Sequence, residues 1–270
     1  MIIVDFIGRL GNNIFQYVLA KIISDKLNFS LRINNNQYPT IFNNIEKENY
    51  YFPTFKNDNT ILINLEEILN DKTPRYICLN GFFQRYEYYK AYKDNILNWI
   101  NIKQNISIIP SKNDLVLHVR GGDLLEGPYN NVHPPCPFAY YKNIIENSSY
   151  DKLYIVTEKE SDIVAQKIKS VFNGIIISNS VIEDFNFLLN AENIVLSLST
   201  LAWWAAWLGK AKTAHFPRIG MWHSDTYRNN LDLEVDEDRY IYHNLYKVDN
   251  WCGSSQQIKK ILSDNLEKWE

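Results

Sequence analysis

The sequence predicts an α/β protein built from two Rossmann-like halves that face a cleft. The chain opens with a short apolar run, a glycine-containing turn and a helical pattern, which is the β-loop-α order of a parallel sheet. Short apolar runs and helical patterns then alternate regularly after residue 115. A polar stretch over residues 103–113 separates the two regions. We therefore expect an N-terminal half (1–110), a second half (111–250) and a C-terminal helix (251–270).

In the N-terminal half, a turn over residues 8–12 links the first apolar run to an amphipathic helix. The region 35–75 is largely irregular, with tyrosine and asparagine throughout. The apolar patterns predict strands over 1–7, 30–33 and 76–79, and helices up to about residue 27 and over 61–69 and 86–100.

The second half predicts a parallel sheet with helices on both faces, because short apolar strands that alternate with helices require crossover connections. The patterns predict strands over 115–119, 153–157, 175–178, 194–198 and 213–216, with helices over 140–145, 161–171, 183–189, 201–208 and 254–269.

The composition excludes several classes of protein. Hydrophobic residues make up 46% of the chain and charged residues 22%, which is typical of a globular protein. A formal net charge of −3 argues against nucleic acid as a partner, since affinity for a phosphate backbone needs clustered excess cations. The apolar runs are shorter than the roughly 18 residues that span a bilayer. We therefore expect at most peripheral membrane contact.

The cysteine pattern points to a reducing compartment. Cys78, Cys136 and Cys252 are far apart and form no Cys-x-x-Cys pair. The first apolar run also lacks the basic and long apolar regions of a signal peptide. We expect reduced thiols in a cytoplasmic protein.

The sharpest candidate site follows the predicted strand over 115–119. There the apolar run leads directly into His118, Arg120, Gly121, Gly122 and Asp123. An arginine can hold a diphosphate, and glycines let backbone N–H groups approach an anion. The carboxylate of Asp123 could orient Arg120 or His118, or act as a base. The alternative interpretation is a glycine turn beside a surface ion pair.

Two further turns are candidates. Ser197, Ser199 and Thr200 stand where a strand meets a helix, and hydroxyl and N–H groups at a helix start can bind an anion. The alternative is an ordinary N-cap beside a tryptophan-rich core helix. Gly11 and Asn12 lie in a turn that lacks a full dinucleotide fingerprint, so they are weaker candidates for contact with a donor or an acceptor.

Four segments resemble the motifs of one enzyme family. Residues 118–123 resemble the His-x-Arg-Arg-x-Asp motif of the fucosyltransferase superfamily. Residues 8–17 resemble the Gly-x-Leu-Gly-Asn-Gln-x-Phe-Gln-Tyr signature of glycosyltransferase family 11, the α-1,2-fucosyltransferases. Residues 81–84 are similar to the Gly-Tyr-x-Gln segment of that family. Residues 197–207 are similar to its Ser-Asn-Ser-Thr-Phe-Ser-Trp-Trp-Ala-Ala-Trp stretch. The four segments occur in the family order.

The resemblance implies a GT-B fold and an inverting glycosyltransferase. Its donor would be GDP-fucose, bound mainly by residues 111–250, and the N-terminal half would lie on the acceptor side. The acceptor implied is an oligosaccharide or other glycan, with O2 of a terminal galactose as the default atom. The donor-binding residues implied are Arg120 with Ser199 and Thr200 for the diphosphate, Ser197 in the same motif, His118 lining the pocket, and Asp184 accepting hydrogen bonds from guanine.

One departure from the pattern leaves the donor open. Gly121 stands where the motif has a second arginine, and the lost cation could be replaced by Arg9, Arg85 or Arg218. The departure could also indicate a different nucleotide sugar, or a non-catalytic homologue that binds a nucleotide sugar or a glycan. A redox enzyme is disfavoured because a proper dinucleotide fingerprint is missing. Asp184 could also be a simple acidic residue at a helix start.

For the chemistry, we expect a single displacement with inversion and no metal ion. Asp123 and Glu126 are the candidate bases, and either could instead position Arg120. Residues 236–238 contain the Asp-x-Asp pattern that binds a metal in some glycosyltransferases, but here the pattern predicts a solvated acidic loop. Arg120 and helix-end dipoles would then stabilise the leaving diphosphate.

Overall fold

The computed structural model describes residues 1–46, 57–60, 62–102, 108–126, 133–223, 225–226, 230–248 and 250–266. For residues 57–60 and Glu126, only the backbone is described. Contacts divide the chain into two compact units, one of residues 1–103 with 228–234 and one of residues 104–227 with 235–270. The predicted cleft and the GT-B arrangement concern the relative placement of two halves, and they stay predictions.

The first unit contains a parallel sheet. Its elements are β1 (Ile2–Asp5), α1 (Leu10–Leu27), β2 (Leu31–Asn34), β3 (Asn57–Thr60), α2 (Leu65–Asn70), β4 (Tyr76–Leu79), β5 (Gln84–Arg85), two 3₁₀ turns (Tyr86–Tyr88 and Lys90–Tyr92), α3 (Lys93–Trp99) and β11 (Leu231–Asp232). Four strands form a sheet in the order β2-β1-β4-β3, and all its neighbours are parallel. The short strands β5 and β11 form a separate parallel pair.

Helix α1 is buried on nearly all sides, whereas the sequence predicted one apolar face. Its burial includes the polar residue Gln16, which is 0% exposed. The Gln16 side chain accepts from the Ile7 N–H and the Asn13 amide, both at 3.2 Å, and donates to the Gly81 carbonyl at 3.0 Å. Because a buried amide is costly unless it is paired, these bonds allow α1 to enter the core.

The predicted helix over residues 86–100 is shorter in the structure. Only α3 is α-helical, and two 3₁₀ turns precede it. In these turns the Tyr88 hydroxyl donates to the Ile63 carbonyl at 3.1 Å, and the Tyr89 hydroxyl donates to the Phe83 carbonyl at 2.6 Å. These side-chain hydrogen bonds hold the two tyrosines in place, and they override the local helical pattern.

The second unit contains a six-stranded parallel sheet in which all neighbouring strands are parallel. Its elements are β6 (Leu115–Val119), α4 (Gly122–Glu126), α5 (Phe138–Glu146), β7 (Leu153–Thr157), α6 (Ile163–Phe172), β8 (Ile175–Ile177), α7 (Val181–Leu189), β9 (Asn193–Val195), α8 (Thr200–Leu208), β10 (Thr213–Arg218), a 3₁₀ turn (Gly220–Trp222), β12 (Tyr240–Asn244) and α9 (Ser255–Ile261). The strand order is β12-β10-β9-β6-β7-β8. The predicted α/β class with parallel sheets is confirmed.

Four elements of this unit differ clearly from the sequence prediction. The edge strand β12 and the short helix α4 were missed. Helix α7 starts two residues before the predicted position, because Ser180 and Glu183 form a capping box at its start. Helix α9 ends at Ile261, well short of the predicted residue 269.

Helix α8 lies in the core of the second unit. Its residues Trp203, Trp204 and Trp207 are 0% exposed and pack against one another, which confirms the prediction that they belong to the core. Arg239 closes the end of this helix by donating to the carbonyls of Ala206, Trp207 and Ala211 at 2.7 to 2.9 Å. A guanidinium is suited to this place because it carries five donors in a fixed plane.

No helix among the described residues combines the length and the hydropathy that crossing a bilayer requires. Helix α8 is apolar on all sides but is only 9 residues long.

Replacing Arg239 with glutamine is expected to lower the free energy of unfolding by about 2–4 kcal/mol, because buried carbonyls at the end of α8 lose their charged donor. The control is Lys212→Gln. Lys212 pairs with Glu192 at 2.6 Å but is 71% exposed, so its loss should cost less than about 1 kcal/mol. Urea unfolding followed by tryptophan fluorescence measures both variants. Equal losses would contradict the capping role of Arg239.

Candidate active site

The second unit has a point at which its strand order reverses. From β6 the chain adds β7 and β8 towards one edge, and then returns to add β9, β10 and β12 towards the other. The reversal therefore lies between β6 and β9. In open parallel sheets, ligands bind in the crevice outside the carboxyl ends of the strands at such a point. The two segments that follow β6 and β9 are the ones that the sequence singled out.

Two hydrogen bonds join these segments. The His118 Nδ1 atom lies 2.6 Å from the Ser197 hydroxyl, and Arg120 donates from Nη1 to the Leu198 carbonyl at 3.1 Å. His118 and Ser197 are 8% and 1% exposed. The structure thus brings three predicted site residues together, and the buried pair fixes the distance between the end of β6 and the loop after β9.

Asp123 orients Arg120. The guanidinium donates from Nη2 to Oδ2 at 3.0 Å and from Nε to Oδ1 at 3.4 Å, so both oxygens of the carboxylate face it. The Arg120 side chain is 26% exposed and that of Asp123 is 40% exposed. The sequence left open whether Asp123 positions the arginine or acts as a base, and this geometry favours positioning. The Glu126 side chain lies outside the described residues.

Helix α8 starts beside these residues. Ser199 is its N-cap and accepts from the Ala202 N–H at 3.4 Å, while Thr200 is its first residue. This bond is the ordinary cap that the sequence offered as the alternative. It does not conflict with anion binding, because the start of a helix still carries a partial positive charge. The helix start and the Arg120 guanidinium both adjoin Leu198.

The interior position of His118 affects its charge. Burial, and secondly the positive charge of Arg120, lower the pKa of His118 from 6.5 to about 3. The backbone carbonyl of His118 also accepts from the Tyr141 hydroxyl at 3.0 Å. At neutral pH the imidazole is therefore uncharged, and it joins the two loops through a neutral hydrogen bond.

The glycine turn after Arg120 packs against two acidic side chains. An ideal Cβ on Gly121 would lie 2.0 Å from Asp162 Oδ2, and one on Gly122 would lie 3.0 Å from Glu158 Oε2. Asp162 is 6% exposed and is the N-cap of α6. Burial raises the pKa of Asp162, and backbone N–H groups of residues 121, 122, 164 and 165 oppose the increase. Asp162 was not predicted as part of the site, although an aspartate before an apolar helical run is an N-cap signal in the sequence.

Asp184 lies at the start of α7, which follows β8, and β8 is two strands away from β6. Its side chain is 6% exposed and accepts from the Asn179 N–H at 3.1 Å. Burial is the main cause that raises the pKa of Asp184 from 3.8 to about 6, and Glu183 adds to the increase. This carboxyl group therefore titrates close to neutral pH.

Gly11 and Asn12 lie in the first unit, in the first turn of α1. The Asn12 side chain accepts from Gln84 at 2.9 Å, and Gln16 donates to Gly81 in the same region. The two segments 8–17 and 81–84, which resemble family motifs, are therefore joined by hydrogen bonds within this unit. The structure therefore places the two motifs next to each other, which the sequence alone did not predict.

The acidic stretch over 236–238 divides into two kinds of residue. Asp236 and Asp238 are exposed. Glu237 accepts from the Trp207 indole at 3.0 Å and from Arg239 at 2.6 Å, so it supports helix α8. The solvated loop predicted here is thus wrong for Glu237. In the part of the chain that the structure describes, no three histidine, cysteine or acidic residues form a metal-binding group.

The low pKa of His118 predicts a pH dependence of stability. Between pH 6.5 and about 3, His118 is protonated in the unfolded chain but stays neutral in the folded protein. The free energy of unfolding therefore falls as the pH falls through this range. Replacing His118 with asparagine removes this proton, and the slope of the unfolding free energy should decrease by about 1.4 kcal/mol per pH unit. Urea unfolding between pH 4 and 6 measures both proteins. Identical slopes would show that His118 is not buried as a neutral group.

Comparison with known proteins identifies a family. The family described as Glycosyl transferase family 11 matches residues 24–230. The O-antigen biosynthesis glycosyltransferase WbnK of Escherichia coli is 22% identical over 291 residues, which cover 84% of this chain and 96% of WbnK. A solved structure of a mutant of Arabidopsis thaliana FUT1 in complex with GDP is similar with a TM-score of 0.47 and 11% identity, and the match covers 78% of this chain and 68% of that one. Because the family match spans most of the sequence, this protein is a glycosyltransferase and belongs to glycosyl transferase family 11.

Proposed function

We propose that this glycosyltransferase moves fucose from GDP-fucose to a hydroxyl group of a glycan acceptor, with O2 of a terminal galactose as the attacking atom. The observation that carries the proposal is the Arg120 guanidinium, fixed beside the strand-order reversal by Asp123 and the Leu198 carbonyl. A fixed cation at this place suits the diphosphate of a nucleotide sugar. The choice of guanosine and fucose rests on the four motif resemblances.

The diphosphate would bind to Arg120 and to the start of α8 at Ser199 and Thr200. When the bond to the sugar breaks, negative charge develops on the departing diphosphate. Donors that are held in place beforehand stabilise that charge without reorganising during the reaction. His118 and Ser197 would contribute to this site by holding its two loops together, since both side chains are buried.

The reaction we propose is a single displacement with inversion. The acceptor oxygen forms a bond to the anomeric carbon, the bond from that carbon to the β-phosphate oxygen breaks, and its electron pair leaves with GDP. A carboxylate takes the proton of the acceptor hydroxyl. Asp123 has both oxygens directed at Arg120, so we assign it the positioning role and propose Glu126 as the base.

Two other groups would complete the substrate sites. Asp184 would accept from N1–H and the N2 amino group of guanine, which requires its ionised form. In the first unit, the joined segments at Gly11 and Asn12 would contact the acceptor. Metal independence, a cytoplasmic location and peripheral membrane contact stay predictions.

The experiment that tests the function is turnover against a panel of nucleotide sugars, with excess EDTA and a galactose-terminated acceptor, measured as release of the nucleoside diphosphate. Turnover of GDP-fucose alone supports the proposal and its metal independence. Turnover of a different donor alone overturns the choice of fucose. Binding of GDP-fucose without turnover of any donor supports the alternative of a non-catalytic homologue. Activity that EDTA removes overturns the metal-independent mechanism.

Replacing Arg120 with lysine should lower kcat/KM for the donor by about 100-fold or more, because lysine retains the charge but loses the planar fork. The matched control is Arg32→Lys, an exposed arginine on β2, which should leave kcat/KM within about twofold. Steady-state kinetics measures both variants, with melting temperatures to show that they are folded. Similar kinetics for R120K and wild type would exclude Arg120 from diphosphate binding.

If Asp184 reads guanine, the affinity for GDP should depend on its ionisation. As the pH falls below about 6, the carboxyl becomes protonated and the Kd for GDP should rise by up to about tenfold per pH unit. The terminal phosphate of GDP titrates in the same range. The measurement is therefore the difference between wild type and Asp184→Asn in calorimetric titrations from pH 5 to 8. Parallel pH profiles would rule out guanine recognition by this carboxylate.

A further inference from the structure

Gly121 lies in a space that leaves no room for a side chain. An ideal Cβ on this residue would lie 2.0 Å from Asp162 Oδ2, 2.9 Å from Asp162 Cγ and 2.6 Å from Leu125 Cδ1. Contacts below 3.0 Å require a neighbour to shift. Gly121 is not among the described residues with positive φ, so the requirement for glycine at this position comes from packing and not from backbone conformation.

We propose that Asp162 is a positioning residue for Arg120, because its carboxylate fills the space above Gly121 and fixes the turn that presents the guanidinium. The proposal rests on the function proposed above, in which Arg120 binds the diphosphate. It also explains why glycine stands where the family motif has a second arginine. With Asp162 in place, an arginine at 121 has no space for its Cβ.

The Asp162 carboxylate is held in place by hydrogen bonds. Its Oδ1 atom accepts from the N–H groups of Val164 at 2.9 Å and Ala165 at 3.0 Å, at the start of α6. Moving the carboxylate away from Gly121 breaks these capping bonds, and α6 then loses its N-cap. The turn after β6 must therefore adapt to Asp162.

A shift of this turn reaches Arg120 directly. Arg120 precedes Gly121, and its side chain keeps contact with both Asp123 and the Leu198 carbonyl across the strand-order reversal. A displacement of about 1 Å at a group that binds the reacting part of a substrate costs up to about 100-fold in rate. A side chain at 121 should therefore impair donor binding and turnover beyond its effect on folding.

The test is a double-mutant cycle of Gly121→Ala and Asp162→Gly. Glycine is an acceptable N-cap, so D162G removes the two obstructing carboxylate atoms while α6 keeps its start. The third close atom, Leu125 Cδ1, is the end of a flexible side chain that can move aside. We expect G121A alone to raise the KM for GDP-fucose and the Kd for GDP by about tenfold or more, and to do so by less than about twofold in the D162G background. A double variant that is as impaired as G121A overturns the proposal.

Two further variants separate the possible causes. Asp162→Asn retains the cap and the bulk but not the charge, so G121A should remain impaired in that background if packing is the cause. Gly174→Ala is the matched control, since its Cβ would lie 2.7 Å from Ile155 Cδ1 in the core of the same unit. It should lower the melting temperature without changing the donor KM, and D162G should not correct it. Rescue of G174A by D162G, or rescue of G121A by D162N, would contradict the packing mechanism.

The inference and the proposed function can fail separately. If wild type turns over no GDP-fucose but uses another donor, the proposed fucosyltransferase function is wrong. The same double-mutant cycle is then measured with that donor and its nucleoside diphosphate. If wild type uses GDP-fucose and the effects of G121A and D162G on KM simply add, the function stands and the positioning role of Asp162 is wrong.

Discussion

The carboxyl edge of the sheet in the second unit depends on the link between the end of β6 with its following loop and the loop after β9. Parallel strands are held by their ladders, but the loops beyond their ends are not, and at a strand-order reversal they diverge. Here the His118–Ser197 hydrogen bond ties the end of β6 to the loop after β9 below the surface, and the Arg120–Leu198 bond ties the two loops at the surface. The arginine therefore acts from a frame that is already rigid. A buried neutral imidazole suits this role, because a charged one would require a counter-ion in the core.

The proposed anion-binding residue Arg120 lies near two carboxylates, those of Asp123 and Asp162. Asp123 lies at its surface side with both oxygens on the guanidinium, so it fixes orientation at the cost of part of the positive charge. Asp162 is buried, and its Oδ1 faces backbone N–H groups at the start of α6. The N–H dipoles at the start of α8 supply positive potential from the other side. A diphosphate bound here as proposed would rely on fixed geometry more than on an excess of cations, which agrees with a net charge of −3 for the whole chain.

The sequence predicted the elements that periodicity specifies, and it missed those that depend on distant contacts. The strands β6, β7 and β9 are apolar and buried, so they could be recognised without partners. The edge strand β12 has the sequence Tyr-Ile-Tyr-His-Asn and only one fully buried residue, Tyr240, so it gives a weak periodic signal. Helix α1 was found, but its burial on nearly all sides depends on bonds from Gln16 to Ile7 and Gly81, and the latter lies 65 residues away in the chain.

The same distinction applies to the candidate site. The pairing of Arg120 with Asp123 follows from a spacing of three residues, and the sequence predicted it as one of several alternatives. Gly121 and Asp162 are about forty residues apart in the sequence, so no local sequence pattern predicts their contact. The departure of Gly121 from the family motif first suggested a lost cation to be replaced elsewhere. The structure gives a different reason, because the space for a side chain is filled by a helix cap. A residue that departs from a motif therefore has to be explained together with the residue that packs against it. At this site that means a side chain at position 121 can be accommodated only if the Asp162 carboxylate also changes.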